Sequence, residues 1–275
     1  MGDIVLFDMD GTLTPARQAM SENVKSALIE LSKIAEIGVL TGSDLDYLLQ
    51  QIPVHELGTK ILPTQFIHLL PCNGTRYLRR SGHFDLAKEF EVVSSVNMRE
   101  RIVFYDMLMA NLLKMQHEFA SEKNSQREYK FGLTGHFISA RSGMINWCPI
   151  GRNATQKDRE SFIEFDQATN FRESSIQKLK AWQKEEMSEV IDMGTVEFAL
   201  GGETSFDIFP SGWDKTYALR HFPGRRVWFV GDRCVGKGND RKIYEALEAS
   251  GRSFMTSGPD ETIKIIRNRL ISEIE

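Results

Sequence analysis

The sequence has 275 residues, of which 41% are hydrophobic and 26% are charged. These values match ordinary globular proteins and exclude disordered and fibrous classes, and the length favours a main domain with a substantial second lobe. The formal net charge of -4 gives no overall reason to expect a nucleic-acid partner, so a phosphate site would have to be local.

Cysteine usage and hydropathy indicate where the protein works. The three cysteines, Cys72, Cys148 and Cys234, are odd in number and far apart, which favours buried thiols in a reducing compartment over a disulfide framework or a zinc site. No window approaches twenty uncharged residues, and the apolar stretch after Met1 is too short for a signal peptide. We therefore expect a cytoplasmic protein that does not bind membranes.

The first segment alternates between strands and helices. "IVLF", residues 4–7, is a continuous apolar run, as expected of a strand that is buried on both faces of a parallel sheet. Ser21 is a candidate N-cap for the helix that follows. The predicted elements after it are a strand over "EIGVLTGSD", a helix over "DLDYLLQQI" and a strand near "QFIHLLPCNG". This order favours an α/β doubly wound sheet.

The pattern then changes and later returns. "RYLRRSGHF" predicts a hairpin, and residues 97–120 predict one long Met-rich amphipathic helix. Two antiparallel strands about the "RSG" turn, a helix from "KDRESFIEFDQ" onward, and strands over "TVEFALGG" and "TSFDIFP" come next. Strand and helix alternate again from "RRVWFVGD". We predict a core over 1–82 and 210–275, interrupted by an α+β cap over 83–209.

Three carboxylate-bearing strand ends should meet at one edge of the predicted sheet. Asp8, the segment from Thr41 to Asp44, and Asp232 each follow a predicted strand, and ligands gather at such ends in open α/β sheets. Carboxylates packed this closely would repel one another unless a cation such as Mg²⁺ neutralised them. Lys215 and Thr41 or Ser43 are candidates to complete a phosphoryl-transfer site.

The stretch "FDMDGT" contains two aspartates with suitable spacing for two roles. Asp8 and Asp10 face the same way if the strand extends that far, and Gly11 lets the chain turn away without a side-chain clash. One carboxylate could attack phosphorus while the other moves a proton.

Four motifs in order carry a family resemblance. "FDMDGTLT", "VLTGSD", "GWDK" and "VGDRCVGKGND" resemble the motifs of the haloacid dehalogenase (HAD) superfamily of aspartate-nucleophile phosphotransferases. The chain is also similar, along nearly its whole length, to the eukaryotic-type phosphomannomutases of that superfamily, through "DGTLTPARQ", "RSGMINWCPIGRNATQKDRESF", "GGETSFDIFPSGWDKTY" and "GKGND". It departs from that family in having Cys72 where glutamate is usual and Thr41 where glycine is usual.

This resemblance implies a Mg²⁺-dependent interconversion of hexose 6-phosphate and hexose 1-phosphate, with a hexose bisphosphate as activator and intermediate, in a homodimer formed through the cap. It implies that Asp8 is the nucleophile, that Asp10 is the general acid and base, and that Lys215 balances charge on the phosphoryl group. The implied metal ligands are Asp8, the backbone carbonyl of Asp10, and Asp232. The implied substrate-binding residues are Arg17, Arg141, Asn146, Arg152, Arg159, Ser205 and Asp207.

The three arginines of the insert fit a mutase on chemical grounds. Such an enzyme must grip the phosphate that is not reacting, and the planar guanidinium groups of Arg141, Arg152 and Arg159 suit phosphate oxygens. Closure of the insert would expel water and favour a sugar as acceptor. Two alternatives remain open: a sugar-phosphate phosphatase in which water takes the phosphoryl group from Asp8, and a catalytically silent sugar-phosphate-binding protein.

Overall fold

The computed structural model describes residues 2–54, 66–80, 90–102, 104–125, 130–186 and 195–274. The chain divides into two compact units, Met1–Val96 with Gly212–Glu275, and Asn97–Ser211. The second division lies close to the predicted boundary at 209, whereas the predicted boundary near residue 82 lies outside the described residues. Within the described ranges, no helix is long and apolar enough to cross a membrane.

The N-terminal segment folds as its pattern predicts, and its helices begin at polar caps. Ser21 Oγ accepts a hydrogen bond from the Val24 backbone, and Asp44 Oδ1 accepts one from Tyr47 N at 3.0 Å. The elements are β1 (Asp3–Phe7), α1 (Glu22–Leu31), β2 (Ala35–Leu40), α2 (Leu45–Gln51), β3 (Phe66–Leu70), β4 (Arg76–Arg80) and β5 (Phe90–Ser95).

The second unit contains helices and a small sheet. The prediction of a single helix over 97–120 is wrong. Ile102 has an extended backbone, with φ -114° and ψ 116°, and separates a short helix from a long one. The elements are α3 (Met98–Arg101), α4 (Tyr105–Ser125), β6 (Ile138–Ala140), β7 (Ile145–Trp147), α5 (Gln156–Thr169), α6 (Phe171–Glu186), β8 (Val196–Gly201) and β9 (Ser205–Pro210).

The C-terminal segment returns to the first unit and opens with a 3-10 helix, Lys215–His221. It continues with β10 (Val227–Gly231), α7 (Arg241–Glu248), β11 (Ser253–Met255) and α8 (Pro259–Ile265). A π-helical turn, Ile266–Leu270, then leads into α9 (Ile271–Ile274).

The described strands of the first unit form one sheet in the order β11-β10-β1-β2-β3-β4-β5. The strands from β11 to β3 are parallel, whereas β4 pairs antiparallel with both of its neighbours, β3 and β5. The apolar run in β1 is buried on both faces, as predicted: Val5 and Phe7 pack into one core cluster, and Ile4 and Leu6 into another. This places Asp8 at the carboxyl edge of a fully buried strand.

The edge of this sheet corrects one assignment from the sequence. On the side away from β3, β4 pairs with β5 in a register that sets Arg80 against Phe90. The 81–84 part of the predicted hairpin lies outside the described residues. Because the backbone of β5 hydrogen-bonds to β4, residues 90–95 extend the core sheet although the sequence assigned them to the cap.

The described sheet of the second unit is antiparallel, in the order β6-β7-β9-β8. The "RSG" turn joins β6 to β7 as predicted, closed by a hydrogen bond from Arg141 N to Met144 O at 2.8 Å. Trp147 is fully buried and stacks on Phe206, with ring centroids 4.6 Å apart. This packing fixes the two central strands that carry Asn146 and Asp207.

Candidate active site

A buried lysine lies between two aspartates at the carboxyl edge of the core sheet. Asp8 follows β1, and its backbone N–H donates to Val230 O at 2.9 Å. Lys215 Nζ donates to Asp8 Oδ1 and, at 2.5 Å, to Asp240 Oδ1. The lysine side chain exposes no surface, and a buried ammonium is tolerated only with such partners. The predicted meeting of Asp8 and Lys215 is therefore present.

Asp232, Asp240 and Asp8 form an acidic cluster that fits a divalent cation. Each offers a carboxylate oxygen, and these oxygens lie within 4.8 Å of one another. Against these three carboxylates stand the ammonium of Lys215 and, 3.9 Å from Asp232 Oδ2, the guanidinium of Arg233, so the ionised cluster keeps a net negative charge. Asp232 Oδ1 is buried and has no hydrogen-bond partner among the described residues. Hard carboxylate oxygens suit Mg²⁺, so the donor set matches the predicted metal.

The ionisation of the cluster reflects this crowding. Burial raises the pKa of Asp8 well above its ordinary value, and the charge of Asp240 raises it further, against the opposing effect of Lys215. Burial and Asp240 also raise the pKa of Asp232. The pKa of Lys215 is raised because its two aspartates outweigh the effect of burial. A cation at the cluster would favour the ionised carboxylates.

The glycine after the aspartate pair makes room for this cluster. Gly11 has φ +81°, and a Cβ at this position would collide with the carboxylate of Asp232. A residue with a side chain would be strained here for both reasons. The prediction that Gly11 lets the chain turn away is thus confirmed, and its close approach to Asp232 adds a second need for glycine.

Asp10 lies in the turn beyond β1 and has different partners from Asp8. Its Oδ1 accepts hydrogen bonds from Arg17 N at 3.2 Å and from Tyr47 Oη at 3.4 Å. The side chain of Asp10 is not in the group of carboxylates that could share a metal, and the implied use of its backbone carbonyl as a metal ligand stays a prediction. Arg17 meets Asp10 through its backbone, so the substrate-binding role of its side chain stays a prediction.

Thr41 and Ser43 belong to the loop after β2. Thr41 is buried, its Oγ1 accepts from Ser43 N at 3.1 Å, and its carbonyl accepts from Asn73 N at 2.9 Å. The backbone N–H of Cys72 donates to Ser43 O at 2.8 Å. The two unusual residues of this sequence, Thr41 and Cys72, therefore stand in adjacent loops joined by hydrogen bonds.

Asp240 is the residue of this site that the sequence reasoning missed. It is fully buried, and its second oxygen accepts from Arg233 N at 3.1 Å. The signal was available, because Asp240 closes the same "VGDRCVGKGND" motif that opens with Asp232. Its spacing from Asp232 gave no indication that the loop folds back to bring both carboxylates together.

Asn146 is the centre of a polar cluster in the second unit. Its Nδ2 donates to Asp207 Oδ1 at 2.8 Å, to Ser205 Oγ at 3.0 Å and to Phe206 O at 3.2 Å. The register of β7 on β9 pairs Asn146 directly with Asp207. Arg152 Nη1 donates to Asn146 Oδ1 at 3.0 Å. Four of the predicted substrate-binding residues are thus joined in one network.

Arg159 and Arg141 lie at other points of this unit. Arg159, on α5, is buried and donates to Thr204 Oγ1 at 2.7 Å and to Arg152 O at 3.3 Å, which links it to the same network. Thr204 was not predicted. Arg141 lies in the "RSG" turn, where its Nη1 approaches Met144 Sδ at 3.8 Å. The substrate-binding roles of these residues remain predictions.

Comparison with known sequences finds relatives that match nearly the whole chain. The sequence model described as "Eukaryotic phosphomannomutase" matches residues 24–272. A phosphomannomutase of Saccharomyces cerevisiae is 35% identical over 268 residues, which cover 96% of this chain and 92% of the yeast protein. The match therefore spans both units.

Solved structures show the same fold. A truncated, IMP-bound IMP-nucleotidase of Plasmodium falciparum aligns with a TM-score of 0.61 and 14% identity, over 98% of this chain and 68% of that chain. A haloacid dehalogenase-like hydrolase of Bacteroides thetaiotaomicron aligns with a TM-score of 0.56 and 14% identity, over 98% and 99% of the two chains. The predicted fold class, a HAD-like α/β core with an inserted α+β unit, is confirmed.

Proposed function

The chain belongs to the eukaryotic phosphomannomutase family, and we propose that it interconverts mannose 6-phosphate and mannose 1-phosphate through an aspartyl phosphate and a hexose bisphosphate. The observation that carries this proposal is the buried contact of Lys215 with Asp8 and Asp240, next to Asp232. A site with a carboxylate nucleophile, a fixed ammonium and room for a cation is what phosphoryl transfer requires.

Asp8 is the nucleophile in this proposal. One carboxylate oxygen of Asp8 attacks phosphorus of the bisphosphate, the bond to the sugar oxygen breaks, and an aspartyl phosphate remains. Lys215 Nζ, which already contacts Asp8, balances the charge that spreads over the phosphoryl oxygens. The O6 hydroxyl of an incoming mannose 1-phosphate then attacks the aspartyl phosphate, which frees Asp8 and regenerates the bisphosphate. Transfer of the 1-phosphate of this bisphosphate to Asp8 leaves mannose 6-phosphate and completes the isomerisation.

Asp10 moves the proton in each half-reaction. It protonates the sugar oxygen that leaves phosphorus and removes the proton from the hydroxyl that attacks in the next step. Its hydrogen bonds to Arg17 N and Tyr47 Oη orient the carboxylate without placing it in the metal-binding group. This separation supports different roles for the two aspartates of one motif.

Mg²⁺ fits the acidic cluster, and we propose Asp8, Asp232 and the backbone carbonyl of Asp10 as its protein ligands. When bound, it would neutralise the excess negative charge and polarise the phosphoryl group. Asp240 serves this site through Lys215: it fixes the ammonium that faces Asp8.

The network in the second unit is proposed to bind the sugar and the phosphate that is not reacting. Asn146 and Asp207 offer an amide and a carboxylate for hydroxyl groups, and Arg152 and Arg159 offer guanidinium donors for phosphate oxygens. Arg141, Ser205 and the side chain of Arg17 complete the proposed binding set. A grip of this kind would hold the sugar in the site while its other phosphate is transferred to or from Asp8.

Assembly and compartment are further parts of the proposal. We propose a homodimer through the second unit, as the family resemblance implies, and light scattering on the purified chain tests it directly. The three buried thiols favour the reducing cytoplasm as the working compartment. The proposed partners are hexose phosphates and a second copy of this chain.

A coupled assay separates mutase from phosphatase activity. Purified protein with Mg²⁺ and a catalytic amount of hexose 1,6-bisphosphate is given mannose 1-phosphate, and both mannose 6-phosphate and inorganic phosphate are measured. The proposal predicts that mannose 6-phosphate accumulates and that the bisphosphate accelerates its formation. Release of inorganic phosphate without an isomeric sugar phosphate would contradict it and favour the phosphatase alternative.

A further inference from the structure

An ion pair outside the residues assigned above lies directly beside Lys215. Lys242 Nζ donates to Asp214 Oδ2 at 2.9 Å. Asp214 immediately precedes Lys215 in the chain, and Lys242 lies in the first turn of α7, just after Asp240. The side chain of Asp214 is 10% exposed and that of Lys242 is 44% exposed. This pair therefore lies nearer the surface than the fully buried pair of Lys215 and Asp240.

Two ion pairs with opposite placement of the charges therefore connect the segment 214–215 to the segment 240–242. From the segment 214–215, Asp214 reaches Lys242 and Lys215 reaches Asp240. Each segment contributes one aspartate and one lysine. A relative shift of the two segments would stretch both pairs at once, so together they restrain the start of the 3-10 helix against the start of α7.

The second oxygen of Asp214 fixes the local backbone. Its Oδ1 accepts hydrogen bonds from Thr216 N at 2.9 Å and Thr216 Oγ1 at 2.6 Å, which caps the 3-10 helix that begins at Lys215. Burial raises the pKa of Asp214, but the hydrogen bonds from Thr216 and Lys242 outweigh it and hold this pKa below its ordinary value. The carboxylate is thus ionised and engaged on both oxygens.

We propose that Asp214 and Lys242 are positioning residues that hold the Lys215 ammonium between Asp8 and Asp240 for phosphoryl transfer. The inference rests on the proposed function of this site. Lysine has a long flexible side chain, so its ammonium can be aimed only by its surroundings. Misplacement of a reacting group by about 1 Å can cost about 10²-fold in rate. A lost restraint should therefore appear in turnover rather than in sugar binding.

The experiment compares Lys242→Met, Lys242→Arg, Asp214→Asn and the double variant Lys242→Met/Asp214→Asn in the mutase assay. We expect Lys242→Met to lower kcat by about 3- to 10-fold, with KM for mannose 1-phosphate within about twofold of wild type. Lys242→Arg should keep kcat close to that of wild type because it keeps the positive charge that pairs with Asp214. The double variant should have a kcat no lower than that of Asp214→Asn alone, since the two substitutions remove the same ion pair.

Glu245→Gln is the matched control, because Glu245 lies on the same helix in an exposed pair with Arg241. It should leave kcat unchanged. If Lys242→Met turns over like wild type, or if Lys242→Arg is as impaired as Lys242→Met, the positioning role is overturned. If wild type releases inorganic phosphate and forms no isomer, the proposed function fails, and the same comparison made on kcat for phosphate release still decides the role of this pair.

Discussion

Lys215 Nζ lies 2.5 Å from Asp240 Oδ1, and neither side chain exposes any surface. Burial of a charged pair costs desolvation free energy, and this cost is offset only when the two charges are close together and further polar groups satisfy them. Here the same ammonium also contacts Asp8, so Asp240 links the start of α7 to the proposed nucleophile. The orientation of the lysine depends on two aspartates that are far apart in the sequence.

Removal of the ammonium should destabilise the metal-free protein. We expect Lys215→Met to lower the free energy of unfolding by about 3–5 kcal/mol, because it leaves the buried carboxylates of Asp8 and Asp240 without the ammonium that they share. Denaturation in urea with a chelator present measures this. The double variant Lys215→Met/Asp240→Asn should recover part of the loss, since it removes one of the repelling carboxylates. Equal stability of Lys215→Met and wild type would contradict the role given to the lysine.

Addition of Mg²⁺ should stabilise the folded protein through the acidic cluster. A ligand that binds only the native state at 100 times its Kd adds about 2.7 kcal/mol to the free energy of unfolding. We therefore expect the Tm to rise with the concentration of Mg²⁺, and chelation to abolish turnover. Asp232→Asn should lose most of this rise. A Tm that is independent of Mg²⁺ in wild type would argue against metal binding at Asp8 and Asp232.

A pH-dependent contribution to stability is expected from Glu36. His68 Nε2 and Arg225 Nη2 donate to its carboxylate at 2.8 and 2.7 Å. The hydrogen bond from His68, with help from Arg225, holds the pKa of Glu36 below its ordinary value of 4.5. A carboxyl group with a lowered folded-state pKa stabilises the protein above the unfolded-state value, and this stabilisation is lost as the pH falls through the folded-state value.

Glu36→Gln should therefore cost about 1 kcal/mol near neutral pH, and the difference from wild type should shrink as the pH falls below 4.5. Urea unfolding at several pH values measures it. Glu91→Gln, in an exposed pair with Arg79, is the control and should have little effect at any pH. A difference between Glu36→Gln and wild type that stays constant into the acid range would refute this assignment.

Asn146→Asp should weaken substrate binding by the second unit. The substitution removes the donors to Ser205 and Asp207 and places a second carboxylate next to Asp207. We expect KM for mannose 1-phosphate to rise by about tenfold or more, with a smaller effect on kcat. Gln177→Ala, an exposed change on α6, should leave KM unchanged. An unaltered KM in Asn146→Asp would exclude this network from sugar binding.

Much of the site could be predicted because parallel strands impose it. The apolar run of β1 and the strand before Asp232 are adjacent in the sheet, with Phe7 paired to Val230. Asp8 and Asp232, which follow these strands, therefore lie close together whatever the conformation of the loops. The "GWDK" motif predicted Lys215 as a residue of the site. Its hydrogen bonds to Asp8 and Asp240 show why a lysine is needed there.

The residues that sequence reasoning missed depend on loop conformation and on tertiary pairing. Asp240 joins the cluster because the loop after Asp232 folds back, helped by a hydrogen bond from Asp240 N to Arg233 O at 3.2 Å. No periodicity reveals such a turn. The break of the long helix at Ile102 and the assignment of β5 to the core sheet likewise depend on packing and strand pairing, which override local pattern.

The most direct test of the account is to locate the phosphate on the enzyme. Protein is mixed with hexose 1,6-bisphosphate and Mg²⁺, quenched in acid within one turnover, and digested for peptide mass spectrometry. The account predicts an acid-stable phosphate on Asp8 that disappears in Asp8→Asn together with mutase activity. Full mutase turnover by Asp8→Asn, or phosphate found on a different residue, would contradict it.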